Sequence, residues 1–144
     1  MRTKVDARIT EGLEATYLPA ETPVIARAKA QLTEYFASQR KEFDLPLLMV
    51  GTPFQQGVWN ALLQIPYGKT ETYLQLSERL GNPKAIRAVA SANGANAFAI
   101  VVPCHRIVGS KGELVGYAGG LPAKRKLLNL EATGAPQQLS LFEN

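Results

Sequence analysis

Helix-start and helix-stop residues punctuate this chain so often that it can fold only as a series of short helices. Thr22-Pro23 and Thr52-Pro53 each pair a capping side chain with a proline at the first helical position, where the missing N–H costs nothing. After the first pair, Ile25, Ala28, Leu32 and Phe36 recur at helical spacing and predict an amphipathic helix over 23–40. After the second, Val58, Trp59, Leu62 and Leu63 share one side of a helix that "PYGKT" breaks. Thr72 with Gln75 forms a capping-box pattern for a helix through Leu80. Gly81 stops that helix, and Asn82-Pro83 restarts the next, running to about Ala92. Two short helices joined by "GNP" make a helix-turn-helix pattern, common in helical proteins at large and used by DNA-binding ones. A last helix is predicted over Pro122 to Ala132 and ends at Gly134. Lys124, Arg125 and Lys126 are assigned to its polar side, and Leu127, Leu128 and Leu130 to the core.

The stretches between are less regular. Ile9, Leu13, Ala15 and Tyr17 partly alternate with polar residues, which allows a short hairpin or an irregular segment over 1–22. "FDLPLLMVG" reads as an extended connection, because Pro46 argues against a central strand. "AFAIVV" is a short apolar, β-branched run leading to Cys104, "GSKGELVGYAGG" a glycine-rich loop, and "APQQLSLFEN" an exposed tail.

Of the 144 residues, 46% are apolar and 19% charged, enough for a core and too few charges for a disordered chain. The net charge of +4 fits an ordinary basic protein or one with a polyanionic partner. "MRTKVDARIT" is not followed by an apolar stretch, so no targeting segment is expected, and no apolar run is long enough to span a membrane. A single cysteine excludes an internal disulfide and fits a reducing, cytoplasmic setting. A structural zinc site takes about four Cys or His ligands, and the chain offers only Cys104 and His105, so no zinc is expected.

That cysteine and that histidine are adjacent, in "IVVPCHRIVG". A thiol is a good nucleophile only as a thiolate, which a nearby base promotes. On an extended strand, neighbouring side chains point to opposite faces, so adjacency alone does not bring Cys104 and His105 into contact, and a water could link them. The residues themselves leave two readings open: a buried, inert Cys beside a hydrogen-bonded His, or a nucleophile with its base.

"PCHRIVG", preceded by "YLQLSERLGNPKAIRAVASANGAN" and followed by "GYAGGLPAKRKLLNLE", resembles the O6-alkylguanine-DNA alkyltransferases, also called methylated-DNA–protein-cysteine methyltransferases. The resemblance covers roughly Thr52 to Gly134. It implies an α/β (α+β) fold: a mostly helical catalytic and DNA-binding domain over 51–134 with a short β element, a reduced N-terminal subdomain over 1–50, and a flexible tail over 135–144. It implies that Cys104 takes the alkyl group from O6 of guanine once per molecule and without a metal or other cofactor, and it leaves O4 of thymine open as a second donor. In that pattern His105 matches the base, acting through a water, and Glu131 matches the acid that orients it. Tyr73 matches the proton donor toward the leaving guanine, and Asn96 the brace of the turn before the site. Tyr117 and Ala118 match the lid over a base flipped out of duplex DNA. Arg87 matches the residue that fills the vacated space from the minor groove. Ala85 lets the helix approach closely, and Asn82, Lys84 and Arg106 join the expected DNA contacts.

Three departures stand out. Ala97 replaces the Pro many members carry after the Asn, and Ala118 stands where some have Ser. Ile86, bulkier than the Ala often found on the DNA-facing helix, is a candidate to turn into the core. Two other readings remain: lesion-binding relatives that lack the acceptor Cys, against which "PCHR" argues, and a Cys-His hydrolase. In the tail, "QLSLF" resembles the peptide that docks bacterial polymerases and repair proteins onto the replication sliding clamp, with Gln138, Leu139, Leu141 and Phe142 as the contacts.

Overall fold

Local capping chemistry decides where most of the helices begin. The computed structural model describes residues 22–135, so the expected hairpin before Thr22 and the "QLSLF" tail lie outside the described residues. Within them the elements are α1 (Pro23–Phe36), α2 (Pro53–Leu63), β1 (Glu71–Thr72), α3 (Tyr73–Arg79), α4 (Ile86–Gly94), a 3₁₀ turn (Cys104–Arg106), β2 (Ile107–Val108) and α5 (Leu121–Thr133). This is an α+β fold, mostly helical with one small sheet, as expected. Thr22 caps α1 through Ile25 N–H. Thr52 with Gln55 and Thr72 with Gln75 form reciprocal capping boxes on α2 and α3. Each satisfies backbone N–H groups that would otherwise lack partners. Gly134 ends α5 with φ 69°, donating its N–H to Leu130 O at 2.8 Å.

Three boundaries differ from the sequence expectation. α1 stops at Phe36 instead of 40, because Ser38 turns the chain through a left-handed φ of 60°. Asn82-Pro83 does not start α4. It opens a tight turn in which Ala85 N–H donates to Asn82 O at 3.0 Å, and the helix begins at Ile86. Proline suits the second position of such a turn as well as it suits a helix start. "AFAIVV" forms no extended strand; it folds tightly, with a single bridge between Ala99 and Val102 and a left-handed φ of 75° at Ile100.

The core joins these pieces. α2, α3 and α4 pack around Val58, Leu62, Leu76 and Val89, with Val102 and Ile107 from the segment flanking Cys104. Burying each such side chain stabilises the fold by about 1.5–3 kcal/mol. The Trp59 indole N–H donates to Ala92 O at 2.8 Å and ties α2 to α4. A second cluster joins Tyr35 of α1 to Ile100, Leu127 and Leu130. The buried face of α1 runs through Gln31 and Tyr35, while Ile25 stays exposed. Leu63, assigned to the buried side of α2, is also exposed. The parallel pairing of Glu71 with Ile107 and Thr72 with Val108 sets the start of α3 beside the Cys104 turn. No helix among the described residues is long and apolar enough to cross a membrane.

Candidate active site

Asn96 shapes the approach to the cysteine. Its side chain accepts from Phe98 N–H at 2.9 Å and donates to Val102 O at 2.8 Å, closing residues 96–102 into a tight loop. Ile100 holds its unusual φ inside this loop, a conformation that costs a β-branched residue about 1–3 kcal/mol. Pro103 then leads into the 3₁₀ turn that carries Cys104, His105 and Arg106, all three buried. Cys104 and His105 therefore do not sit on an extended strand. In a 3₁₀ turn, with three residues per turn, successive side chains diverge by about 120°. The two still point apart, as adjacency on a strand would have had them.

His105 is fully buried, and its Nε2 lies 2.6 Å from Glu131 Oε2 on α5. A carboxylate only accepts hydrogen bonds, so Nε2 carries the proton and Nδ1 keeps a free lone pair. Nδ1 is buried and meets no hydrogen-bond partner among the described residues. Glu131 also binds Arg106 through Nε at 2.8 Å and Nη2 at 3.1 Å, and takes the Tyr35 hydroxyl at 2.5 Å. Arg106 completes its shell with Ile65 O at 2.6 Å. The expected DNA contact at Arg106 is not available in this geometry, because the guanidinium is spent inside the protein on Glu131.

Electrostatics follow from burial and pairing. Burial alone would push the Glu131 carboxyl up, but hydrogen bonds from His105, Arg106 and Tyr35 outweigh it and hold the group at about 2. Burial lowers His105 below its ordinary value, against the pull of Glu131. Burial raises the Cys104 thiol, opposed by the Asn96 amide and the Lys124 ammonium. At neutral pH the site holds a thiol, a neutral imidazole and a carboxylate.

Lys124 overturns its assignment to the polar side of α5. It is fully buried, and its ammonium donates to Val115 O at 2.9 Å and Gly116 O at 3.3 Å. The Tyr73 hydroxyl reaches the same Val115 O at 3.5 Å. Gly116 takes φ 56° there, so a side chain would be strained at that bend. Tyr117 is half-buried and packs against both core clusters, while Ala118 is exposed beside it. Tyr117 thus packs against the cluster that holds Cys104, on a loop pinned by Lys124 and Tyr73.

On the outer side, Asn82, Lys84 and Arg87 are exposed, and Ala85 is half-buried at the start of α4. Ile86 is 38% exposed and does not turn into the core. Sequence reasoning missed three members of the buried network: Tyr35, Arg106 as a carboxylate partner, and Lys124. For Lys124 a signal existed, since Lys124, Leu127 and Glu131 fall three and four residues apart on one helical stripe.

Known proteins resemble this chain in sequence and in fold. Residues 53–133 match the family described as "6-O-methylguanine DNA methyltransferase, DNA binding domain". A methylated-DNA–protein-cysteine methyltransferase of Mycobacterium bovis is 49% identical over 137 residues, spanning 91% of this chain and 83% of that protein. The constitutive enzyme of Bacillus subtilis is 54% identical over 112 residues, 77% of this chain and 68% of its own. The crystal structure of Mycobacterium tuberculosis OGT in complex with DNA superposes with a TM-score of 0.77 at 51% identity, over 83% of this chain and 74% of that one. The O6-methylguanine-DNA methyltransferase of Pyrococcus kodakaraensis superposes with a TM-score of 0.69 at 25% identity, over 88% and 78%. By family match and by identity to its relatives, the chain belongs to the methylated-DNA–protein-cysteine methyltransferases.

Proposed function

We propose that this protein repairs DNA by moving the alkyl group of O6-alkylguanine, and of O4-alkylthymine, irreversibly onto Cys104. The observation that carries the reading is the buried chain of contacts from Glu131 to His105, with a free Nδ1 next in sequence to the only thiol. The His105 Nδ1 takes the thiol proton through a water, and Glu131 stabilises the imidazolium that forms. The thiolate sulfur attacks the alkyl carbon, the bond from that carbon to O6 breaks, and guanine departs with its electron pair. Tyr73 neutralises the charge that develops on the leaving base. A thioether has no ready leaving group, so the protein acts once.

A thiol this deep cannot reach a stacked base, so the lesion is flipped out of the duplex beneath Tyr117 and Ala118. The helix pair α3–α4 approaches the minor groove with Ala85 at the closest point, Arg87 filling the space the base leaves, and Asn82 and Lys84 near the phosphates. In this reading residues 51–134 form the catalytic and DNA-binding domain and 1–50 a reduced N-terminal subdomain. The reading places the protein in the cytoplasm. The test is recovery of unmodified guanine from a duplex containing O6-methylguanine: one equivalent per protein supports the reading, and repeated turnover or none contradicts it.

The tail adds a second reading. Leu141 and Phe142 are paired apolar anchors beyond the last helix stop, and Gln138 and Leu139 complete a clamp-like peptide. A hydrophobic pocket on the sliding clamp would suit them, at an ordering cost that keeps the affinity at about micromolar. Titration of the clamp with wild type and with Leu141→Ala/Phe142→Ala decides it: equal binding, or none by either, removes the reading.

A further inference from the structure

α1 lies outside the family-matched residues 53–133, yet it delivers a side chain to the catalytic carboxylate. Tyr35 is fully buried on that helix, 96 residues from Glu131 in sequence. Its hydroxyl donates at 2.5 Å to Oε2, the same oxygen that faces His105 Nε2 at 2.6 Å. Arg106 Nη2 also reaches Oε2, at 3.1 Å, while Arg106 Nε and Gly68 N–H sit on the other oxygen, Oε1, at 2.8 and 3.3 Å. The ring is fixed by edge contacts with Phe36 at 5.5 Å and Tyr67 at 6.1 Å between centroids, and by Phe43 at 5.5 Å. Packing alone would be served as well by phenylalanine. The hydroxyl adds only the hydrogen bond.

We propose that Tyr35 is a positioning residue for alkyl transfer: its hydroxyl fixes Glu131 Oε2 and shares that oxygen's charge with His105, so that the imidazole stays neutral until it accepts the thiol proton. The inference rests on the reading of His105 as base. With Arg106 as the only other donor to Oε2 among the described residues, a carboxylate relieved of the Tyr35 hydroxyl would hold the imidazolium more tightly, and a histidine already protonated cannot take a proton. The other charged and titratable groups facing the pair are Arg106 of the same turn, Lys124 of α5 and Tyr67 of the loop before β1. None of them is altered by removing one hydroxyl from α1.

His105 is the only histidine of the chain, so its imidazole can be titrated by NMR without ambiguity. In Tyr35→Phe, loss of the donor should move the imidazole titration to higher pH. The acid limb of the single-turnover rate should move the same way, and the rate at neutral pH should fall roughly tenfold, short of the 10²–10⁴ lost with the base itself. Ring-fluorinated tyrosine incorporated at position 35 keeps the shape, strengthens the donor and should move the titration to lower pH; it serves also if Tyr35→Phe folds poorly. If both substitutions leave the imidazole titration on the wild-type curve, the proposal is overturned. If the imidazole shifts as described but wild type transfers no alkyl group, the hydrogen-bond coupling stands and the functional reading fails.

Discussion

Two sets of polar side chains in this molecule live under opposite rules. His105, Arg106, Lys124 and Glu131 are buried, and each has named partners inside the fold. Asn82, Lys84 and Arg87 are exposed around the α3–α4 turn, where the fold asks nothing of their side chains. An unpaired buried charge costs several kcal/mol, so the first set is explained by its own contacts. The second set has no such account inside the fold, and in the proposed function it meets the DNA. The difference separates chemistry from docking, and substitutions should separate them too.

The largest effect is expected at Glu131. Glu131→Ala leaves the Arg106 guanidinium buried without its anion and should destabilise the fold by about 3–5 kcal/mol, read from denaturant unfolding. A variant that unfolds with wild-type stability would break the contrast at once. The milder Glu131→Gln and the His105→Ala variant should slow single-turnover transfer on the order of 10²–10⁴-fold while duplex affinity stays within about twofold.

Next comes the dependence of stability on pH. The depressed His105 and the carboxyl of Glu131, held at about 2, both bind protons less readily folded than unfolded. Stability should therefore fall as pH drops through the ordinary histidine range, and again as it drops through the carboxylate range toward about 2. Thermal melts across pH should show Glu131→Gln losing the second fall.

Arg87→Ala sharpens the contrast from the other side. It should slow reaction with duplex DNA by roughly tenfold yet react with a free O6-alkylguanine base like wild type, because no flipped state needs support there. An equal loss on both substrates would put Arg87 in the chemistry. Lys84→Ala is the smallest expected effect: the slope of log affinity against log salt should become shallower by about one.

The same division governs what could be read from the sequence. Caps at Thr22, Thr52 and Thr72 were legible because a side chain and a backbone group three residues away settle them. Pro83 misled because a helix start and the second position of a turn look alike locally. The β1–β2 pairing could not be read, since two-residue strands carry no period. Glu131 as partner of His105 came only through resemblance, and Lys124 hid in a basic triplet that looks like a solvated face. Tyr35 joined no visible motif, because its hydrogen bond spans 96 positions. Arg87, expected among the DNA contacts only through the resemblance, is exposed, and so is Leu63, which spacing alone assigns to the buried side of its helix.

The central claim is that Cys104 is the acceptor and is used once. Intact-protein mass, followed by peptide mapping, should be measured after incubation with excess O6-methylguanine duplex. The account predicts a gain of one methyl group per molecule, carried by the peptide containing Cys104 and absent from Cys104→Ser. An unchanged mass, a methyl on another residue, or a Cys104→Ser variant that still demethylates the DNA would contradict it.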